Sequence, residues 1–331
     1  MLDLSRAIET LRSDSAAAGL VFAERVVRTL QEPVAPSLEV SASGVIEAAG
    51  GIDELTRPAR HRPGAIQLPW TSLARLIPAV LPGQLVLIGA RPAVGKSIAL
   101  AQIADRAARD GHGVLMVSLE MSNAQILTRL GCAASRVSLG RLGAGCLDST
   151  ERRAFQSALA EIDTLPLWFL CSPRYTLPAL SAAVVRRKAA GNLRLVVLDY
   201  LGLVDGPGTN SNERVGAVSR GLKRIAMEHG VAVIAATQLS RANETDNREP
   251  RLSDLRDSGG QEQDADSVIL LSPAKGGQPG EEFVRLVVAK QRSGPTGEAT
   301  LQRVGRYATL QEPADEQAER AAAQAEIQAN D

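Results

Sequence analysis

The sequence predicts an α/β fold: a mostly parallel central sheet flanked by helices, preceded by a short helical extension. Three observations carry this prediction. From about Leu81, short aliphatic runs alternate with helical segments. One of those runs leads into a glycine-containing loop that ends in Lys-Ser and opens a helix. Polar residues stand where the other runs end. Continuous apolar strands separated by helices argue for a parallel sheet covered on both faces. In such sheets ligands bind beyond the carboxyl ends of the strands.

The runs occupy 85–89, 114–119, 193–198, 231–236, 267–271 and 283–289. After Gln291 the turn Gly294-Pro295-Thr296-Gly297 and the break at Gly305 suggest closing hairpins. The expected body therefore spans 81–311. Ahead of it, 1–40 reads as a helical extension, with Leu4, Ile8, Leu11, Phe22, Val26 and Leu30 near one helix face. A self-packing helix pair and an oligomerisation element are both open there. Residues 41–80 read as a linker. Within it, a helical stretch at 44–55 is weakened by Gly50-Gly51, and an exposed basic segment at 57–64 is either a solvated loop or a phosphate contact. Residues 312–331 form an acidic, Ala- and Gln-rich tail, a frayed helix or a disordered end.

Composition narrows the classes. The chain has 331 residues, 44% hydrophobic, with a net charge of zero. No apolar run reaches the roughly 18 residues of a membrane span. The first residues lack a basic segment followed by an apolar core, so a cytoplasmic location without membrane partners is expected. Cys132, Cys146 and Cys171 show no CxxC spacing, which gives no case for zinc or a disulfide framework. The tail carries six acidic residues against Arg320 alone, which leaves a modestly basic body. Aromatics make up only 3%, too few for a single-strand binder built on base stacking. Any nucleic acid would be held by its phosphate backbone.

The segment Gly89-Ala90-Arg91-Pro92-Ala93-Val94-Gly95-Lys96-Ser97, running into Ile98, joins a strand to a helix. Backbone N–H groups of such a loop face phosphates, helped by the positive end of the helix. Lys96 is expected to reach the β and γ phosphates of a nucleoside triphosphate, and the Ser97 hydroxyl to bind Mg²⁺. The generic pattern wants glycine where this chain has Ala90.

Glu120 follows the strand at 114–119, and Ser122 with Gln125 has capping-box spacing, so a helix starts near Ser122. A carboxylate left in that crevice can polarise an attacking water, or it is simply a solvated loop residue. Asp199 after four aliphatics has the usual form of the second nucleotide motif, which holds Mg²⁺ directly or through water. Gln238 ends the strand at 231–236 and is either a γ-phosphate sensor or a hydrogen-bonded strand end. Lys290 and Arg292 alternate by two at the end of the last run, so they face one side. A shared phosphate from a neighbouring subunit, with Arg292 as an arginine finger, and an edge strand charged against aggregation are equally open. The segment 253–266 reads as too polar to be buried, a candidate mobile loop with adjacent glycines. A second polar stretch runs from 205 to 214.

In this order these pieces resemble the C-terminal ATPase domain of DnaB-type replicative helicases, the hexameric RecA-like P-loop family. The stretches that carry the resemblance are Ala90 to Ser97, Ser118-Leu119-Glu120-Met121, Asp199-Tyr200-Leu201, Ser219-Arg220-Gly221-Leu222-Lys223, Gln238-Leu239-Ser240-Arg241, the 253–266 segment and Lys290-Gln291-Arg292-Ser293-Gly294-Pro295. That family itself opens its loop with Ala-Arg-Pro, so Ala90 counts in favour.

The resemblance implies that Lys96 and Ser97 bind triphosphate and Mg²⁺, Glu120 activates water, Asp199 supports the metal, and Gln238 links the γ-phosphate to DNA loops. It implies that Lys290 and Arg292 act in trans. It places Arg256, Asp257 and Gly259 on the single-strand backbone, and gives 5′-to-3′ movement by a hexameric ring during DNA replication. A helicase loader or primase would be a further partner. Relative to that family, the segment before the body is too short for the usual N-terminal collar. A RecA- or RadA-like recombination ATPase and a non-unwinding regulatory partner of a helicase are the competing readings. The complete set Lys96, Glu120, Asp199 and Arg292 argues against the last.

Overall fold

The computed structural model describes residues 41–172, 175–239, 249–258, 260–274 and 281–313. The expected helices of 1–40 and the bulk of the tail lie outside them. The chain divides into two units after Arg57.

The described part of the first unit is a pair of short helices, α1 (Ala42–Ala48) and α2 (Ile52–Thr56). Ser41 caps α1 by accepting the Gly44 N–H at 3.2 Å. The single helical stretch expected at 44–55 is thus broken in two. Gly50 and Gly51 adopt φ of 90° and 100°, which end one helix and reset the chain for the next.

The second unit starts at Pro58. Its core reaches well before Leu81: Ile66, Leu68, Trp70, Leu73 on helix α3 (Thr71–Leu76), Ile77 and Val80 are all buried. Ile66 and Val80 close this segment as an antiparallel bridge. At the other end, Glu312 accepts hydrogen bonds from the Ser72 N–H and hydroxyl at 2.9 and 3.1 Å. It therefore belongs with the body rather than with the tail in which the sequence reading put it.

Among the described residues, nine strands form one sheet. They are β1 (Leu85–Ala90), β2 (Gly113–Ser118), β3 (Leu167–Cys171), β5 (Leu193–Asp199), β7 (Ala232–Gln238), β8 (Ser267–Ala274), β9 (Glu282–Gln291), β10 (Gly297–Val304) and β11 (Thr309–Gln311), in the order β11-β10-β9-β8-β1-β7-β5-β2-β3. The pairings from β8 through β1, β7, β5 and β2 to β3 are parallel. Those of β9 with β10 and β10 with β11 are antiparallel, as the glycine turns suggest. The pairing of β8 with β9 is antiparallel too, so the run at 283–289 departs from its reading as one of the parallel strands. Two short strands, β4 (Tyr175–Thr176) and β6 (Val204–Asp205), pair separately. The strand β3 is absent from the runs named above, although Leu167-Trp168-Phe169-Leu170-Cys171 is apolar throughout; it lies at the sheet edge and is only partly covered.

Alternation along each strand divides the core. Val86, Ile88 and Ala90 face one apolar cluster with helix α4 (Lys96–Arg109) and α5 (Asn123–Ser135). Leu85 and Leu87 face the other, with α8 (Leu177–Ala189) and α9 (Ser211–His229); α6 (Leu139–Gly143) and α7 (Ser149–Asp163) lie between α5 and β3 in sequence. Burying each such aliphatic side chain contributes roughly 1.5–3 kcal/mol. This two-sided covering explains why the strands read as unbroken apolar runs.

The stretch 253–266 departs from its reading as too polar to be buried. Asp254, Gln261 and Asp266 are all buried. Residues Leu252–Ser258 form a 3₁₀ helix and Gln261–Asp264 a short helix, α10. These three side chains have partners: the Arg251 N–H on Asp254 at 2.7 Å, the Thr237 hydroxyl on Gln261 at 2.7 Å, and Lys223 on Asp266 at 2.7 Å. Polarity is compatible with burial when every group is satisfied.

Candidate nucleotide site

The phosphate-loop candidate grows out of the middle of the sheet. Ala90 ends β1 fully buried, with Gln238 of β7 as its partner on one side and Leu271 of β8 on the other. An extended, central position needs no glycine, which removes the apparent flaw in the motif. The crowded position is Gly89, where a Cβ would meet Leu239 Cδ2 and Leu270 Cδ2, both at 3.0 Å.

Beyond Ala90 come Arg91 and Pro92. The loop then turns through Ala93 at φ 63° and Gly95 at φ 121°, the second a conformation that side chains rarely tolerate. Val94 tucks into the core between them and anchors the loop from below. Lys96 opens α4, followed by Ser97 and the buried Ile98. No side chain caps this helix at Gly95, so its first N–H groups face the loop.

Three strand ends converge here. The Lys96 ammonium lies 3.9 Å from Asp199 Oδ1 and 4.6 Å from the centroid of the Tyr200 ring. Burial lowers the Lys96 pKa, and the charges of Asp199 and Glu120 pull it back. Burial also raises the Tyr200 phenol, and the same two carboxylates push it further up. Asp199 is 1% exposed, and its Oδ1 has no hydrogen-bond partner. A buried carboxylate oxygen beside a single lysine is costly unless a cation completes it. Asp199 and the Ser97 hydroxyl therefore fit a divalent ion carried in with a triphosphate.

Glu120 is placed by the β2–β5 pairing. Ser118 is the register partner of Asp199, and the Leu119 N–H donates to the Asp199 carbonyl at 2.8 Å. Two residues on, Glu120 stands exposed at the mouth. The Ser118 hydroxyl accepts the Met121 N–H at 3.0 Å, and the expected Ser122–Gln125 capping box starts α5. Both fix the loop that carries Glu120.

Lys290 and Arg292 are elsewhere. Lys290 pairs with Val268 and Gln291 with Ser267, at the start of β8, and the Arg292 N–H donates to the Asp266 carbonyl at 2.9 Å. Asp266 in turn donates its N–H to the carbonyl of Leu85, the first residue of β1. The phosphate loop leaves the other end of that strand, roughly 16 Å away at about 3.3 Å per residue. Lys290 Nζ donates to the Glu262 carbonyl and Arg292 to the Gln263 carbonyl, so the two cations do share a neighbourhood, at α10. Burial lowers the Lys290 pKa and the Arg292 charge adds to the effect.

Arg256 and Asp257 lie on the Leu252–Ser258 helix; Gly259 lies outside the described residues, as do Ser240 and Arg241.

Several contacts escaped the sequence reading. Asp266 gathers the Leu85 N–H and the Lys223 ammonium, both at 2.7 Å, with Arg292 Nη1 3.9 Å away. Arg303 of β10 donates to the Ala93 carbonyl at 2.6 Å. The hydrogen-bonded partners among these, separated by 43 to 210 positions, leave no local signature.

The model of the DnaB-like helicase C terminal domain matches residues 66–312 of this sequence. The chain belongs to that family. The DnaB-like domain thus begins at the same core segment, from Ile66, that the structure packs against the sheet. The replicative DNA helicase DnaB of Leifsonia xyli subsp. xyli is 36% identical over 267 residues, covering 77% of this chain and 58% of that protein. The replicative DNA helicase DnaB of Geobacillus stearothermophilus is 32% identical over 246 residues, covering 72% and 54%. The chain thus spans about half the length of the curated relatives it matches. A solved ATPase-domain structure superposes with a TM-score of 0.74 at 27% identity, covering 83% of this chain and 99% of that one. A DnaB-like replicative helicase, solved in a study of its interactions with primase, shares the fold with a TM-score of 0.73 at 23% identity.

Proposed function

We propose that this chain is the motor of an ATP-dependent replicative helicase that moves 5′-to-3′ along single-stranded DNA as a ring, most simply a hexamer. The observation that carries the reading is the convergence of Lys96, Asp199 and Glu120 beside an uncapped helix start, within a DnaB-like domain.

In this reading the loop from Ala90 to Ser97, with Ile98 behind it, holds ATP. Main-chain N–H groups and Lys96 receive the β and γ phosphates. Ser97 and Asp199 hold Mg²⁺, which when bound neutralises charge on the phosphate oxygens. Glu120 accepts a proton from water as its oxygen bonds to the γ-phosphorus. The bond to the β–γ bridging oxygen breaks, leaving ADP and inorganic phosphate. Gln238, in register with Ala90, is placed to couple that change to the next loop. Lys290 and Arg292 lie too far along β1 to serve their own loop, which supports a role in a neighbouring subunit's site. Arg256, Asp257 and Gly259 are assigned to the DNA backbone on family resemblance. A loader or primase is a further expected partner.

Steady-state ATP hydrolysis with and without single-stranded DNA, alongside forked-duplex unwinding, tests this reading. An assembled oligomer that shows neither DNA stimulation nor unwinding counts decisively against it.

A further inference from the structure

The antiparallel end of the sheet touches the phosphate loop, and nothing in the hydrolysis scheme uses that contact. Arg303 sits on β10 with Glu282 of β9 directly opposite on one side and Leu310 of β11 on the other. Leu310 is held to the helix that follows the phosphate loop. The Gln102 side chain on α4 accepts the Leu310 N–H at 2.7 Å and donates to the Leu310 carbonyl at 3.0 Å. The buried Trp70 indole donates to the same carbonyl at 3.0 Å. The β10–β11 hairpin is therefore fastened to α4, and Arg303 projects from a fixed base.

From that base the guanidinium donates through Nη1 to the Ala93 carbonyl at 2.6 Å, while Nε lies 3.4 Å from the Glu282 carboxylate. The Arg303 stem also closes on the loop: a Cβ at Gly95 would lie 4.0 Å from Arg303 Cδ and 3.8 Å from Leu310 Cδ2. Ala93 is the loop residue whose conformation most needs a restraint. It is not glycine, yet it has a φ of 63°, and it is exposed, so no packing holds it.

A trans peptide is planar, with its C=O and N–H pointing in opposite directions. The Ala93 carbonyl shares its plane with the Val94 N–H. Fixing the carbonyl on Arg303 thus aims the Val94 N–H away from β10. We propose that Arg303 is a positioning residue that presets the phosphate loop for triphosphate by clasping the Ala93 carbonyl. This rests on reading the loop as a nucleotide site. Without the clasp the loop samples other turns, and apparent affinity falls by the fraction of time it is receptive.

The test uses the full chain with Arg303→Met, Arg303→Gln and Arg303→Lys, and mant-ATP as the fluorescent probe. Arg303→Met is expected to raise Kd for mant-ATP and KM for ATP about ten-fold, with kcat within about two-fold of the parent. Arg303→Lys, which keeps one charged donor, should recover most of the affinity. Arg303→Gln, which keeps a neutral N–H donor, should fall between them and covers the case in which Met misfolds. Thermal unfolding without nucleotide should hardly change. Unchanged Kd in Arg303→Met and Arg303→Gln overturns the proposal. So does an equal loss of kcat and ligand-free stability that Lys does not rescue, because that marks a merely structural arginine. A parent protein that binds no mant-ATP overturns the nucleotide reading itself.

Discussion

The Lys223 ammonium on α9 meets the Asp266 carboxylate at 2.7 Å, at the N-terminal end of the central strand. The same carboxylate oxygen accepts the Leu85 N–H at 2.7 Å. One aspartate thus ties together the start of β1, the helix α9 and the backbone to which Arg292 is bonded.

Removing it leaves a partly buried ammonium with the Gly83 carbonyl at 2.9 Å but no counter-charge, and a strand N–H without its acceptor. Asp266→Ala is expected to lose about 2–4 kcal/mol of stability, less than a fully buried pair would because Lys223 is 21% exposed. Urea unfolding measures this, and a loss under about 0.5 kcal/mol would show that the pair is ornamental.

Glu120→Gln should separate binding from chemistry. The side chain is exposed and fixes no neighbour among the described residues, so nucleotide affinity should survive while kcat falls by about 10²–10⁴-fold. Single-turnover hydrolysis together with mant-ATP titration reads both quantities. A variant that hydrolyses normally removes Glu120 from the mechanism.

Lys96 gives the site a pH signature. Burial lowers its pKa from the ordinary 10.5, with Asp199 and Glu120 opposing. The folded protein therefore releases this proton at lower pH than the unfolded chain does. Its contribution to stability consequently rises with pH between the lowered value and 10.5. Triphosphate affinity moves the other way, falling as the ammonium is lost on the alkaline side. Lys96→Ala should bind weakly at every pH and show no such titration.

Mixed oligomers test the reach of Arg292. Arg292→Ala and Lys96→Ala subunits should each be inactive alone, yet recover some hydrolysis at interfaces that pair an intact loop with an intact arginine. If co-assembled mixtures never exceed either parent, the trans assignment fails.

At Gly221 on α9 a Cβ would lie 2.4 Å from Leu177 Cδ1 and 2.9 Å from its Cδ2. Gly221→Ala should cost about 1–3 kcal/mol by overpacking the α8–α9 contact, against a small gain in helix propensity. A more stable protein in thermal unfolding would mean that Leu177 moves aside freely.

Much of this protein was written locally. Unbroken aliphatic runs and a Lys-Ser after a glycine loop specify buried parallel strands and a phosphate loop, because strand burial and helix starts are set by neighbours in sequence. Glu120, Asp199 and Gln238 were legible for the same reason: each ends a recognisable run. What sequence alone misjudged was burial of polar groups. The 253–266 segment reads as a solvated loop, but Asp254 is buried on the nearby Arg251 N–H, and Gln261 and Asp266 are buried where donors from other elements satisfy them. Only the folded chain decided that Ala90 needs no glycine, that Asp199 Oδ1 faces Lys96 without a hydrogen-bond partner, and that Arg292 stands at the far end of β1 from its own loop. It also decided the clasp of Arg303 on Ala93, since a hydrogen bond across 210 positions exists only once the sheet has brought β10 beside the loop.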